Sequence, residues 1–114
     1  MIRRLIAAVV LAWLFGFAWF AIALPRPLDG EKTDAIVVLT GGEGRIQHGL
    51  AALEQGLAGR LLVSGVDRNV RPVEFAVEYR VPATLMVCCV TLGFEATDTR
   101  SNARETARWI AANK

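Results

Sequence analysis

The sequence predicts an α/β fold: an N-terminal transmembrane helix followed by a parallel sheet of three strands with flanking helices. Three observations predict it. Leu5 to Leu24 contains no charged residue, and as a helix it is about 30 Å long, enough to cross a hydrocarbon core. Asp34-Ala-Ile-Val-Val-Leu-Thr-Gly-Gly-Glu-Gly-Arg45 joins an unbroken apolar run to a glycine turn and then to a helical pattern. Beyond it, apolar runs alternate with stretches of helical spacing. That alternation predicts a parallel sheet with right-handed crossovers.

The span follows a cationic leader, Met1-Ile-Arg-Arg, and is stopped by Pro25 and Pro27. Arginines ahead of the span place the N-terminus in the cytoplasm and the rest of the chain on the far side, the periplasm in a bacterium. Trp19 and Phe20 sit where the far interface would fall. A cleavable signal segment is the competing reading, because Ala21-Ile22-Ala23 offers a small-x-small site. The apolar run is longer than the ~7–15 residues usual for such a segment, which favours an uncleaved anchor. A buried helix of a soluble protein is the third reading. The organisation is therefore an anchor over 1–24, a polar tether over 25–33 and an α/β domain over 34–114.

Asp34 to Thr40 reads as a strand buried on both faces, since apolar residues run without polar alternation. From Arg45 to Leu57 the apolar residues Ile46, Leu50, Leu53 and Leu57 fall on one helix face, with Gly59 as the expected C-terminal cap. Arg60 to Gly65 is a second strand. Val66 to Arg71 is a polar loop, and Pro72 opens a helix to about Arg80 with Val73, Ala76 and Val77 on its apolar face. Ala83 to Leu92 holds a third apolar run, expected to be a strand. Gly93 to Asp98 is a loop, and Thr99 to Ala112 is a final helix capped by Thr99 or Ser101.

The composition excludes some functions. Arg3 and Arg4 account for the net charge of +2, leaving eleven Lys and Arg against eleven Asp and Glu from Pro25 onward. A balanced domain has no electrostatic footprint for nucleic acid. Cys88 and Cys89 are adjacent, so a structural disulfide between them is not expected, and both read as small buried apolar residues. With one histidine, His48, the chain offers no spaced metal-ligand set and no Ser-His-Asp triad. Ser64 lacks the Gly-x-Ser-x-Gly setting of a hydrolase nucleophile.

In a parallel α/β sheet, ligands bind beyond the carboxyl ends of the strands. Thr40 to Arg45, Ser64 to Asp67 and Glu95 to Glu105 converge there. The turn at Gly41 and Gly42 is neither a phosphate-binding Walker loop nor a complete dinucleotide fingerprint. It reads either as a plain tight turn or as a cradle of N–H groups for an anion. Arg45 is either a solvated first-turn residue or a bidentate partner for that anion. Thr99, Asn102 and Glu105 share a side of the last helix. They form either a polar site or a set of caps and surface ion pairs.

In order and spacing, Asp34 to Gly42 with Arg45, Leu-Leu-Val-Ser64-Gly65, and Asp98-Thr99-Arg-Ser-Asn102-Ala-Arg-Glu105 resemble the YdcF/SanA/ElyC-like envelope family. The resemblance runs from Asp34 to Trp109. It implies a Rossmann-like domain, often membrane-anchored and periplasmic, linked to peptidoglycan or lipid-carrier metabolism. Its implied ligand-binding positions are Gly41, Gly42, Arg45, Ser64, Gly65, Thr99 and Asn102, with Glu105 as the acid/base. Family members continue with a further strand and a Thr-Ser-x-x-His-x-x-Arg-like motif that has no counterpart before Lys114. The resemblance therefore implies a partial domain, with apolar surface left at the sheet edge where a further strand belongs.

Three functions follow as expectations. The first is a membrane-anchored envelope protein that binds a phosphorylated or cell-wall-derived small molecule. The second is an envelope scaffold without chemistry. The third is a nucleotide- or S-adenosylmethionine-binding transferase, which would need a cytoplasmic domain. No cofactor and no metal are assigned.

Overall fold

A computed structural model describes residues 1–25 and 30–113. The tether's residues 26–29, including the predicted helix stop at Pro27, lie outside the described residues. The first helix, α1, spans Ile2–Ile22 and buries none of its residues. It is long and apolar enough to cross a membrane, with a mean hydropathy of 2.4.

The remaining elements are β1 (Ile36–Leu39), α2 (Arg45–Glu54), β2 (Leu61–Ser64), α3 (Pro72–Glu78), α4 (Ala83–Cys88), β3 (Val90–Leu92) and α5 (Thr99–Ala112). The three strands form one parallel sheet in the order β1-β2-β3. Ile36 registers with Leu61, and Leu61 with Val90, so the strands start level with one another.

Side chains alternate between the two faces of a strand, and this assigns the core. Val38, Leu61 and Val63 project to one face, where Leu50 and Leu53 of α2 and Phe75 of α3 bury them. α2 lies so close to β1 that a Cβ on Gly49 would overlap Val38. Leu62 and Ser64 project to the other face and are also fully buried, with α5 packed against β2 there. The central strand is therefore covered on both faces. β1 is an edge strand, and its Val37 is 37% exposed.

Several readings of the sequence need correction. On α3 the core contact is made by buried Phe75, while Val73 and Val77, expected on the helix's apolar face, are exposed. The run from Ala83 to Leu92 is not one strand: Ala83–Cys88 is helical and only Val90–Leu92 joins the sheet. Pro82 takes the N-cap position with φ −56° and ψ 139°, and the unbroken apolar character of the residues after it does not choose between helix and strand. Cys88 and Cys89 are disulfide-bonded, and Cys88 is exposed rather than buried. The boundary between α4 and β3 falls at this pair and breaks the helical direction of the chain there. The left-handed residue after α2 is Gly56 (φ +71°), not Gly59, because the helix ends at Glu54.

Candidate functional site

Two glycines at strand ends, Gly65 and Gly93, let another group approach closely. Gly65 follows β2 with φ +81°, a left-handed conformation that suits glycine. A Cβ there would stand 2.8 Å from the Thr40 hydroxyl and 3.0 Å from Asn102. Gly93 follows β3, and a Cβ there would overlap the Glu105 carboxylate. Both positions let α5 close on the carboxyl ends of the strands.

Glu105 enters through this gap and is 8% exposed. Its Oε2 accepts the Ser64 hydroxyl at 2.5 Å and the Gly65 N–H at 3.1 Å. Its Oε1 accepts the Glu95 N–H at 2.7 Å. Burial pushes the carboxyl pKa up, but the Ser64 hydroxyl and the N–H groups of Glu95, Gly65 and Ala96 outweigh it and hold the pKa below the usual value. The group is an ionised acceptor near neutral pH. It has no proton to give there, and its oxygens are already engaged.

Ser64 is fully buried. Asn102 Oδ1 lies 2.8 Å from the same hydroxyl. A serine carries one proton, and the charged carboxylate is its stronger acceptor. The Thr40 hydroxyl donates to the Gly65 carbonyl at 2.6 Å. Gly65 is therefore held on both sides, its N–H by Glu105 and its C=O by Thr40.

In front of this network lies a cleft of about 600 Å³ between α2 and α3, at the carboxyl ends of β1 and β2. One wall is Thr40, Gly41, Gly42 and Gly65. The other carries Asp67, Glu74, Glu78 and Tyr79. The Gly41 and Gly42 N–H groups donate to no protein acceptor among the described residues. Glu74 is paired with Arg71 at 2.6 Å, and that guanidinium holds its carboxyl pKa below the usual value.

The predicted residues thus divide by depth. Gly41, Gly42 and Gly65 line the cleft. Ser64, Asn102 and Glu105 meet behind it. Arg45 does not line it: the side chain is exposed, folds over Gly42 and borders a depression along the β1 edge with Glu43 and His48. Thr99 is exposed in the first turn of α5, whose cap is Asp98, accepting the Ser101 N–H at 2.7 Å. His48 turns back on its own helix, Nδ1 lying 2.7 Å from the Gly44 carbonyl. Among the described residues, no group of three His, Cys, Asp or Glu is placed to hold a metal ion. Sequence reasoning missed the acidic wall. Its residues come from a loop and a helix whose spacing carries no site motif, and only the seating of α3 on the core through Phe75 assembles them.

No family model matches the chain, and no solved structure matches it. It is similar to an uncharacterized protein of Rickettsia conorii (strain ATCC VR-613 / Malish 7), RC1356, with 31% identity over 68 residues. The match covers 59% of this chain and 40% of that protein, so the chain spans about two-fifths of the relative's length.

Proposed function

We propose that the chain is a membrane-anchored bacterial envelope protein of the YdcF type, with a Rossmann-like domain in the periplasm that binds a small molecule in the α2–α3 cleft. The observation that carries this reading is that Gly41 and Gly42, whose N–H groups lack a protein acceptor among the described residues, line a cleft just ahead of α2. Such groups favour an anion. Asp67 and Glu78 across the cleft favour hydroxyl or amine groups. The ligand class is a phosphorylated or carboxylated, hydroxyl- or amine-bearing compound, as in cell-wall metabolism. Arg45 meets it only from outside, by swinging across Gly42.

Ser64, Asn102 and Glu105 position Gly65 from behind. The saturation of Glu105 supports a second reading, a binding module or scaffold without chemistry, because its carboxylate is already engaged with donors.

The test is calorimetric titration of the full chain in lipid nanodiscs with glucosamine 1-phosphate, glucosamine and inorganic phosphate. The phosphorylated amino sugar should bind more tightly than either part, and Glu78→Gln should weaken it and leave phosphate binding unchanged. Absence of binding by all three at millimolar concentration would contradict the ligand class.

A further inference from the structure

The surface formed by α3 and α4 carries apolar side chains that the core does not use. Val73 and Val77, four apart and so on one face of α3, are each 74% exposed, and Val87 on α4 is 89% exposed. They border a shallow groove of about 450 Å³, with Ala76, Val81 and Met86 among its walls and no charged residue lining it. The acidic residues of α3, Glu74 and Glu78, line the ligand cleft instead. The helix therefore divides into an acidic side and an apolar side. The disulfide at Cys88 leaves no free thiol beside Val87. An apolar patch of this kind marks an interaction surface.

Its place in the fold indicates what covers it. The Leu61 N–H donates to the Cys89 carbonyl at 2.8 Å, and the Ile36 N–H donates to the Arg60 carbonyl at 2.9 Å. The end of α4 is therefore level with the point where the chain enters β1. That is the amino edge of the sheet, opposite the cleft. Only thirteen residues separate α1 from β1, a reach of at most ~45 Å when fully extended. With α1 in a bilayer, this edge is held at high effective concentration near lipid. Arg80, exposed just after α3, suits anionic headgroups.

We propose that the α3–α4 surface rests on the bilayer that α1 spans, with Val73, Val77 and Val87 in the boundary between headgroups and acyl chains. This rests on the membrane-anchored reading above. It sets the cleft, lined by Glu74 and Glu78 of the same helix, α3, at the flank of the membrane contact.

The experiment is methyl NMR of the full chain in bicelles of phosphatidylcholine and phosphatidylglycerol. A nitroxide-labelled lipid and a water-soluble gadolinium chelate serve as separate probes. The expected result is loss of the Val73, Val77 and Val87 methyl signals with the nitroxide lipid, together with those of Val9 and Val10 in α1. Val77→Asp should restore the Val73 and Val87 signals and leave Val63 in the core unshifted. Loss at Val9 and Val10 alone, with the surface valines responding to gadolinium, would overturn the proposal and leave the anchor intact. Shielding of the surface valines from both probes would mean that protein covers them, and would also overturn it. No response to the nitroxide lipid in α1 or at the surface would overturn the anchor as well.

Discussion

Ser64 and Glu105, 41 residues apart in sequence, meet at 2.5 Å between hydroxyl and carboxylate in the interior. The contact ties α5 to the end of β2, and through the Gly65 N–H it sets one wall of the cleft. Glu105→Ala leaves a hydroxyl and two N–H groups without their acceptor. At about 1–3 kcal/mol for a buried unsatisfied group, with partial relief by water, the expected loss is about 3 kcal/mol. Glu105→Gln keeps one acceptor oxygen and should lose about half as much. Thermal unfolding of the two variants in detergent, followed by near-ultraviolet circular dichroism, checks the ranking. Equal stability of Glu105→Ala and the parent chain would show that the contact adds nothing.

The same contact sets a pH dependence. The folded pKa of Glu105 lies below its ordinary value, and an unfolded glutamate titrates near ~4.3. The unfolded chain therefore binds the proton first as pH falls. The stabilisation is fully present above the unfolded pKa and is lost as pH falls from there through the folded pKa. Asp98, lowered by the Ser101 N–H, and Glu74, lowered by the Arg71 side chain, act in the same direction at the surface. Melting temperature should be flat with respect to these groups from neutral pH to about 5 and fall below about 4. Glu105→Gln should make the acid fall shallower. An unchanged acid limb in that variant would contradict the assignment.

Two glycine substitutions separate close approach from open space. Gly93→Ala drives a Cβ into the Glu105 carboxylate, and overpacking of this kind typically costs about 1–3 kcal/mol. Gly59→Ala meets nothing within 4 Å and has no left-handed φ. It should be neutral or should stabilise by up to about 1 kcal/mol through the unfolded chain. Equilibrium urea unfolding of both variants checks the contrast, and similar shifts in the two would contradict it.

The sheet was legible where local chemistry and tertiary need agree. Ile36–Leu39 and Leu61–Ser64 are strands because their apolar runs are bounded by turn residues, and Gly41 and Gly65 end them. Ala83–Cys88 was not legible, because an apolar run without periodicity fits helix and strand equally. The Asn102–Glu105 face was readable from helical spacing, but its target was not: it meets the buried Ser64 rather than an open site. Arg45 was placed near the cleft by sequence proximity to Gly42. Its side chain goes to the β1 edge because the first turn of α2 directs it there, and nothing in the spacing distinguishes the two sides.

The orientation of the chain is open to a direct assay. Alkaline phosphatase fused after Lys114 should be active in a bacterial host, since Arg3 and Arg4 precede the span. A fluorescent protein that matures only in the cytoplasm should be dark at the same site. The reverse pattern would place the domain in the cytoplasm and favour the transferase reading.

The measurement closest to the central claim is the amide NMR spectrum of the full chain in nanodiscs during titration with glucosamine 1-phosphate. Saturable shifts are expected at Gly41, Gly42 and Asp67, with little change at Thr99 and Asn113 outside the cleft. Shifts confined to the β1 edge around Glu43 and His48, or no shift at any of these amides, would contradict it.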